Sequence, residues 1–513
     1  MAGVETAADG KRLVGKPVTV ITVNKEGKLN LHIEALRSVL LQKDVQNLPV
    51  VVLSVAGAFR TGKSSILNVL LRFPFLQFED WLGDPNKPLE GFPWMSGSDP
   101  HTEGIVFWSH LLRATTADKK EVAVLLVDTE GSFGTSSSTA VSVHIFAFSV
   151  LISSIQIFNV MRNLQLDHLQ HLQMYYKYGN YMKKLEGRTS RFQLCVFLVR
   201  DWPWPKEYEF GWEGGEQLLQ KILGVESKNK ATDELRDLRT YLESCLSSRN
   251  CFLMPSPGLT DDGCSLNGAV NGISPSFKKH LKDFVRGVLS PSKLVVKTGY
   301  GKPLTASELC KFVEKMTPMF SSKELPKPAL MVEKTDEFYA ELARDKALME
   351  YSNSLEQVFD SDGKLISPEE LKQKEENMRN KALKLFDDAA RLKLNECKQK
   401  ERESLMKEMK KIFNVVWTTY EEVRKKYEES KKLQEDLRIA TLILKAIAHV
   451  AMLVVACSPM AAIPKAIAVA TSLCGNIGAT ATEVAAAITS ELNEKDSADA
   501  ARKLPTYLEK KQS

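Results

Sequence analysis

Near the amino-terminal end, Gly57-Ala58-Phe59-Arg60-Thr61-Gly62-Lys63-Ser64 fits the pattern GxxxxGK[ST]. Residue types at this spacing can hold a phosphate chain. The glycines let backbone N–H groups turn inward with no Cβ in the way, and a following helix adds its positive N-terminal dipole. Lys63 is placed to bridge the β- and γ-phosphates, and the Ser64 hydroxyl to ligate Mg²⁺, with Ser65 closing the run of candidate contacts. The bare pattern arises by chance in long chains, so its setting matters. It follows the apolar run Val50–Val55 (VVVLSV) and leads into SILNVLL, the strand–loop–helix order that such a loop requires.

Three further elements fall in sequence behind it. Asp128-Thr129-Glu130-Gly131 closes the strand-like run Val122–Val127, about 65 residues after Lys63. This DxxG pattern at a strand end puts Asp128 close to a metal as an outer ligand and Gly131 close to the terminal phosphate. Between the two motifs, the 91–104 stretch GFPWMSGSDPHTEG offers Thr102, which would close on Mg²⁺ only with the γ-phosphate present; a plain loop threonine is the alternative. No NKxD follows the third apolar run, Leu194–Val199. That run ends instead in Arg200-Asp201, where an aspartate can accept from both guanine N1–H and N2–H₂, which adenine does not offer. A strand-end salt bridge would also explain the pair.

These residues need a scaffold, and the chain supplies one over residues 17–296, where short β-rich runs alternate with helical patterns. The three apolar runs are uninterrupted, as expected of strands covered by helices on both faces. A break at Gly and Pro over 297–304 (VKTGYGKP) is expected to be a linker, with residues 1–16 a flexible N-terminus. From 305 to 438 the chain is charged and helical. Met378, Ala382, Leu385, Ala389 and Leu392 share one stripe, and Leu405, Met409, Ile412 and Val416 another, which predicts a helical bundle. Charge then nearly vanishes over 439–488. Its first part is long and apolar enough to cross a bilayer and its second is weaker, with Lys465, Pro459 and Pro464 at the turn of a hairpin; a buried Ala-rich helical pair is the alternative. Residues 489–513 form a polar tail. Composition narrows the partners: net charge is +5 over 513 residues and no basic block is interleaved with aromatics, which argues against nucleic acid. Eight scattered cysteines with no CxxC pair point to reduced thiols, and the start of the chain has no apolar core of a cleaved signal.

GAFRTGKS, the HTEG loop, DTEG and an Arg-Asp pair in place of NKxD together resemble the dynamin-superfamily GTPases known as atlastins and guanylate-binding proteins. VRDWPWP, Gly214-Gly215, CFLMPSPGL (251–259) and ELPKP (324–328) resemble the atlastin branch, as does an apolar segment pair followed by a short tail. The resemblance covers about residues 17–490. It implies an α/β P-loop GTPase domain with a mostly parallel central sheet and helices on both faces, then an all-α three-helix bundle and a C-terminal hydrophobic hairpin. It also implies GTP as substrate with Mg²⁺, homodimerisation through the GTPase domain in the GTP-bound or transition state, and anchorage in the endoplasmic reticulum bilayer with both termini cytosolic, driving homotypic fusion. Arg60 matches the family's catalytic arginine, a guanidinium that neutralises charge developing on the phosphates; an exposed loop arginine is the alternative. The chain departs in reading Glu130 where atlastins have glutamine, HTEG where they tend to have two threonines, and in a tail without an evident amphipathic helix. A soluble guanylate-binding-like GTPase and a slow nucleotide-gated tether are the competing readings.

Overall fold

The computed structural model describes residues 14–24, 28–58, 61–87, 89–93, 104–129, 139–164, 194–223, 250–258, 271–299, 302–320, 326–358, 366–390 and 395–429. The chain divides into two compact units, Met1–Thr335 and Asp336–Ser513.

The first unit is built on a nine-stranded sheet. Its strands are β1 (Pro17–Val23), β2 (Leu29–Leu31), β3 (Val50–Gly57), β4 (Ile105–Trp108), β5 (Leu112–Thr115), β6 (Glu121–Thr129), β7 (Ile155–Met161), β8 (Leu194–Arg200) and β9 (Cys251–Leu253). They run in the order β2-β1-β4-β6-β3-β7-β8-β9, with β5 also on β6. The stretch β6-β3-β7-β8-β9 is parallel, whereas β1, β2, β4 and β5 join antiparallel. The sheet is therefore mixed, and the expected mostly parallel arrangement applies to the stretch from β6 to β9. For β5, connection length explains the difference. Parallel neighbours need a crossover of a dozen or more residues, whereas β5 returns to β6 through the short 116–120 turn and so pairs antiparallel.

Before residue 297 this unit has five described α-helices: α1 (Ile33–Leu40), α2 (Lys63–Leu70), α3 (Thr139–Ile152), α4 (Trp212–Leu223) and α5 (Pro275–Leu289). Every residue of β3 is buried. Val51, Leu53 and Val55 pack toward Ile66 and Leu70 of α2 and Phe284 and Val288 of α5. On the other face Ala56, Phe158, Val160, Phe197 and Val199 meet Phe146 of α3 and Leu218 and Leu219 of α4. Alternation sorts side chains between the faces, and because both faces are covered the runs read as continuously apolar.

The 297–304 stretch, expected to be a linker, is bonded into this unit. Lys297 N–H donates to Val50 C=O at 2.8 Å, Val50 N–H to Leu304 C=O at 2.9 Å, and Leu304 N–H to Lys297 C=O at 2.8 Å. A small hairpin forms there between β10 (Thr298–Gly299) and β11 (Lys302–Pro303). Next comes α6 (Ala306–Met316), started by a Thr305/Glu308 capping box and tied to α1 by an Arg37–Glu314 ion pair of 2.9 Å. Phe320 then packs edge-on to Phe148 of α3 at 5.2 Å.

Three further helices, α7 (Pro328–Val358), α8 (Pro368–Ala389) and α9 (Asn395–Glu429), make up the described helical region. Its core contains Tyr351 and Leu355 of α7, Leu371, Ala382 and Phe386 of α8, and Leu405, Met409, Val416 and Tyr420 of α9. The α9 stripe is buried at the expected spacing. On α8 the expected Leu385 is instead 39% exposed and Phe386 takes the core position, because the apolar stripe is one residue off at that turn. Two buried tyrosine hydroxyls are satisfied, Tyr351 Oη donating to Glu375 Oε1 at 3.0 Å and Tyr420 Oη to Ile366 C=O at 2.6 Å. Burial beside Glu375 pushes the Tyr351 hydroxyl well above its ordinary pKa. No described helix is long and apolar enough to cross a membrane. The expected hairpin over 439–488 and the tail over 489–513 lie outside the described residues, as does Leu392.

Phe386 is fully buried where the three helices meet. Phe386→Ala should destabilise the helical region by about 3–5 kcal/mol. Urea unfolding followed by far-ultraviolet circular dichroism measures this, and a cost below about 1 kcal/mol would contradict the packing.

Candidate functional site

Parallel pairing brings four strand ends to one edge. Val55 of β3 pairs with Asp128 of β6, Gly57 of β3 with Asn159 of β7, and Met161 of β7 with Arg200 of β8. In open α/β sheets this carboxyl edge is where ligands bind. The motifs that sequence placed at three strand ends are thus neighbours in space.

The loop leaves β3 at Gly57 and enters α2 at Lys63. A Cβ on Gly57 would stand 2.2 Å from the Asn159 carbonyl oxygen, so only glycine lets the loop lie this low on β7. Gly62 has φ +77°, a left-handed conformation that turns the chain into the helix. Two hydrogen bonds converge on the Ala58 carbonyl, from Thr61 Oγ1 at 2.8 Å and Lys63 Nζ at 3.1 Å. Lys63 is buried, its ammonium folded over the loop. Ser64 Oγ donates to Asp128 Oδ2 at 2.6 Å, a charge-assisted bond to a carboxylate that is 1% exposed. Thr129 Oγ1 donates to Val55 C=O at 2.9 Å and pins the end of β6 to β3. Ser65 is half-buried in the first turn of α2.

A hydroxyl and a carboxylate in direct contact are hard oxygen donors of the kind Mg²⁺ takes with phosphate and water. Ser64 and Asp128 therefore fit an ion held mainly by its substrate. Among the described residues no group of three His, Cys, Asp or Glu could hold a metal by itself.

Arg200 and Asp201 sit at the end of β8 in different roles. The Arg200 guanidinium passes beneath the loop, with Nη1 3.4 Å from the Thr61 carbonyl and its centre 6.0 Å from the Phe277 ring. Desolvation pulls its pKa below the ordinary arginine value, and Asp201 opposes that shift. This places the Arg200 side chain under the phosphate loop. Asp201 takes a left-handed φ of +53°, and its buried Oδ1 has no hydrogen-bond partner among the described residues. An orphaned carboxylate oxygen at this edge is suited to accept N–H groups from a ligand. Beside it Trp202 is fixed by N–H donation to Met254 C=O at 3.0 Å, and Trp204, 43% exposed, stands edge-on to it at 5.1 Å.

Two functional-looking residues escaped the sequence reading. Asn159 Nδ2 donates to the Thr61 carbonyl at 2.7 Å. Asn68, on the buried face of α2, accepts from Phe92 N–H at 2.6 Å and donates to Phe92 C=O at 3.0 Å, tying the chain at Phe92 to the phosphate-loop helix. The available signal was an amide standing inside an otherwise apolar run, in SILNVLL and in IQIFNVM. Phe59, Arg60, Thr102, Glu130 and Gly131 lie outside the described residues.

Strand, glycine loop, helix and the contacting acidic strand end define a P-loop nucleotide-hydrolase domain. Residues 26–298 match the family described as guanylate-binding protein, N-terminal domain. Atlastin-3 of Mus musculus and of Homo sapiens are each 39% identical over 376 residues, spanning 72% of this chain and 69% of theirs. Atlastin-1 of Mus musculus is 37% identical over 372 residues, 72% of this chain and 66% of its own. The chain belongs to the atlastin family, and it is a GTPase.

Gly57→Ala must lift the loop off β7. Guanine-nucleotide affinity is expected to fall by about a hundredfold, since displacements of about 1 Å carry losses of that order. Titration with a fluorescent GDP measures it, and an affinity within twofold of the parent would contradict the close approach.

Proposed function

We propose that this chain binds GTP with Mg²⁺ at the carboxyl edge of β3, β6, β7 and β8 and hydrolyses it to GDP and phosphate. The cycle drives homodimerisation of copies anchored in the endoplasmic reticulum membrane, and so tethers and fuses those membranes. The observation that carries the reading is the 2.6 Å contact of Ser64 with Asp128 directly under a glycine loop whose last residue is left-handed. Membership of the atlastin family supports the membrane and dimerisation parts.

In this reading the backbone N–H groups from Ala58 to Ser65 surround the β-phosphate, and Lys63 lies between the β- and γ-phosphates. Ser64 and Thr102 hold the ion directly, with Asp128 hydrogen-bonded behind Ser64. When bound, Mg²⁺ neutralises charge on the β- and γ-phosphate oxygens. Gly131 donates its N–H toward the γ-phosphate, and Arg60 swings over the phosphates to offset the charge that builds on transfer. Asp201 accepts from guanine N1–H and N2–H₂ through its carboxylate, whose Oδ1 has no hydrogen-bond partner among the described residues. Residues 439–488 form the membrane hairpin, with the GTPase domain and both termini on the cytosolic side, and the helical region from 305 to 438 relays the dimer's movement.

Energy transfer between copies carrying donor and acceptor dyes tests the coupling in detergent-solubilised full chain. Association is expected with a non-hydrolysable GTP analogue or GDP plus aluminium fluoride, and not with GDP. Arg60→Ala should keep GDP affinity and lose about 10³-fold in turnover, the size of an arginine-finger effect. Copies that stay apart with every ligand, or an Arg60→Ala turnover equal to the parent's, would contradict the mechanism.

A further inference from the structure

Resting on that reading of the phosphate site, we propose that Asn159 is a positioning residue that aims the phosphate loop by locking the Thr61–Gly62 peptide. Asn159 is wholly buried in β7, two residues from its carboxyl end, and its register partner on β3 is Gly57, the first residue of the loop. It therefore meets the loop at both ends. Its backbone carbonyl lies against Gly57, and its side-chain Nδ2 donates to the Thr61 carbonyl at 2.7 Å.

The consequence follows from peptide geometry. A trans peptide is planar, so its C=O and the next N–H point in opposite directions. Holding the Thr61 carbonyl down on β7 turns the Gly62 N–H up, into the hollow of the loop where a β-phosphate sits at the start of α2. A flipped peptide would present the carbonyl lone pairs to the phosphate instead. Gly62, with no Cβ and φ +77°, offers little resistance to such a flip, so the lock must come from outside the loop. Arg200 is the only other donor to that carbonyl among the described residues. Its Nη1 is 3.4 Å away, beyond the usual range for N–H···O, so Asn159 carries most of the restraint.

The other half of the amide points the same way. Asn159 Oδ1 is buried with no hydrogen-bond partner among the described residues, an arrangement that lowers stability. Leucine has the same branching and number of side-chain heavy atoms, is somewhat bulkier, and would leave no orphaned acceptor. Packing therefore does not account for an asparagine here, whereas the donor to Thr61 does.

The test compares GMP, GDP and a GTP analogue by calorimetric titration of the full chain, with Asn159→Leu and the smaller Asn159→Ala. Both variants should bind GDP and the GTP analogue about tenfold more weakly while binding GMP, which lacks a β-phosphate, as the parent does. Without nucleotide, Asn159→Leu should melt within a few degrees of the parent. Equal weakening for all three ligands, or unchanged GDP affinity in Asn159→Leu, would overturn the proposal. A parent chain that binds no guanine nucleotide would overturn the nucleotide reading and this proposal with it; GMP binding retained in the variants keeps the two failures apart.

Discussion

Parallel register between β3, β6 and β7 is the constraint on which the site depends. Val55 opposite Asp128 is what places a carboxylate under the Ser64 hydroxyl, and Gly57 opposite Asn159 is what seats the loop. A slip of one residue would turn every side chain of a strand to the other face, sending Asp128 away from α2. The register is held by apolar side chains on both faces, with β3 buried along its whole length and β6 from Val122 onward. The hydrophobic effect thus fixes polar geometry that has no means of fixing itself.

The polar groups at the edge are costly to keep there. Lys63 and Asp128 are buried, and the Arg200 guanidinium is desolvated enough for its pKa to fall. Lys63 and Asp128 are given partners within the protein, Ala58 C=O and Ser64, and Arg200 Nη1 lies 3.4 Å from Thr61 C=O. Groups already oriented in a low-dielectric setting need no rearrangement when a phosphate arrives, which is where such sites gain over water. Asp201 Oδ1 is buried and left open among the described residues, as Asn159 Oδ1 is, and at Asp201 this suits a group whose partner is the ligand.

How much of this was legible in the sequence follows from how local each feature is. GAFRTGKS, DTEG and the Arg-Asp pair were readable because each is a contiguous motif closing an apolar run, and the strands at Val50, Val122 and Leu194 were found for the same reason. Asn159 and Asn68 were not, because their roles exist only through partners 98 and 24 residues away. Arg200 and Asp201 read in sequence as one nucleotide-binding pair, and only the path of the Arg200 side chain under the loop separates their roles. The 297–304 stretch looked like a linker because Gly and Pro interrupt its pattern, yet its backbone bonds to Val50 make it part of the first unit. Three of the four antiparallel strands, β2, β4 and β5, were hidden because they have only three or four residues, too short to show a period.

In the function proposed here, this edge selects a guanine nucleotide through a preformed phosphate loop and Asp201. Calorimetric titration of the full chain with non-hydrolysable GTP and ATP analogues in Mg²⁺ tests it most directly. Saturable one-to-one binding of the guanine analogue is expected, with at least about a hundredfold weaker binding of the adenine one, the discrimination that follows when a buried carboxylate is left without its donors. Equal affinity for the two analogues, or no binding of either, would contradict it.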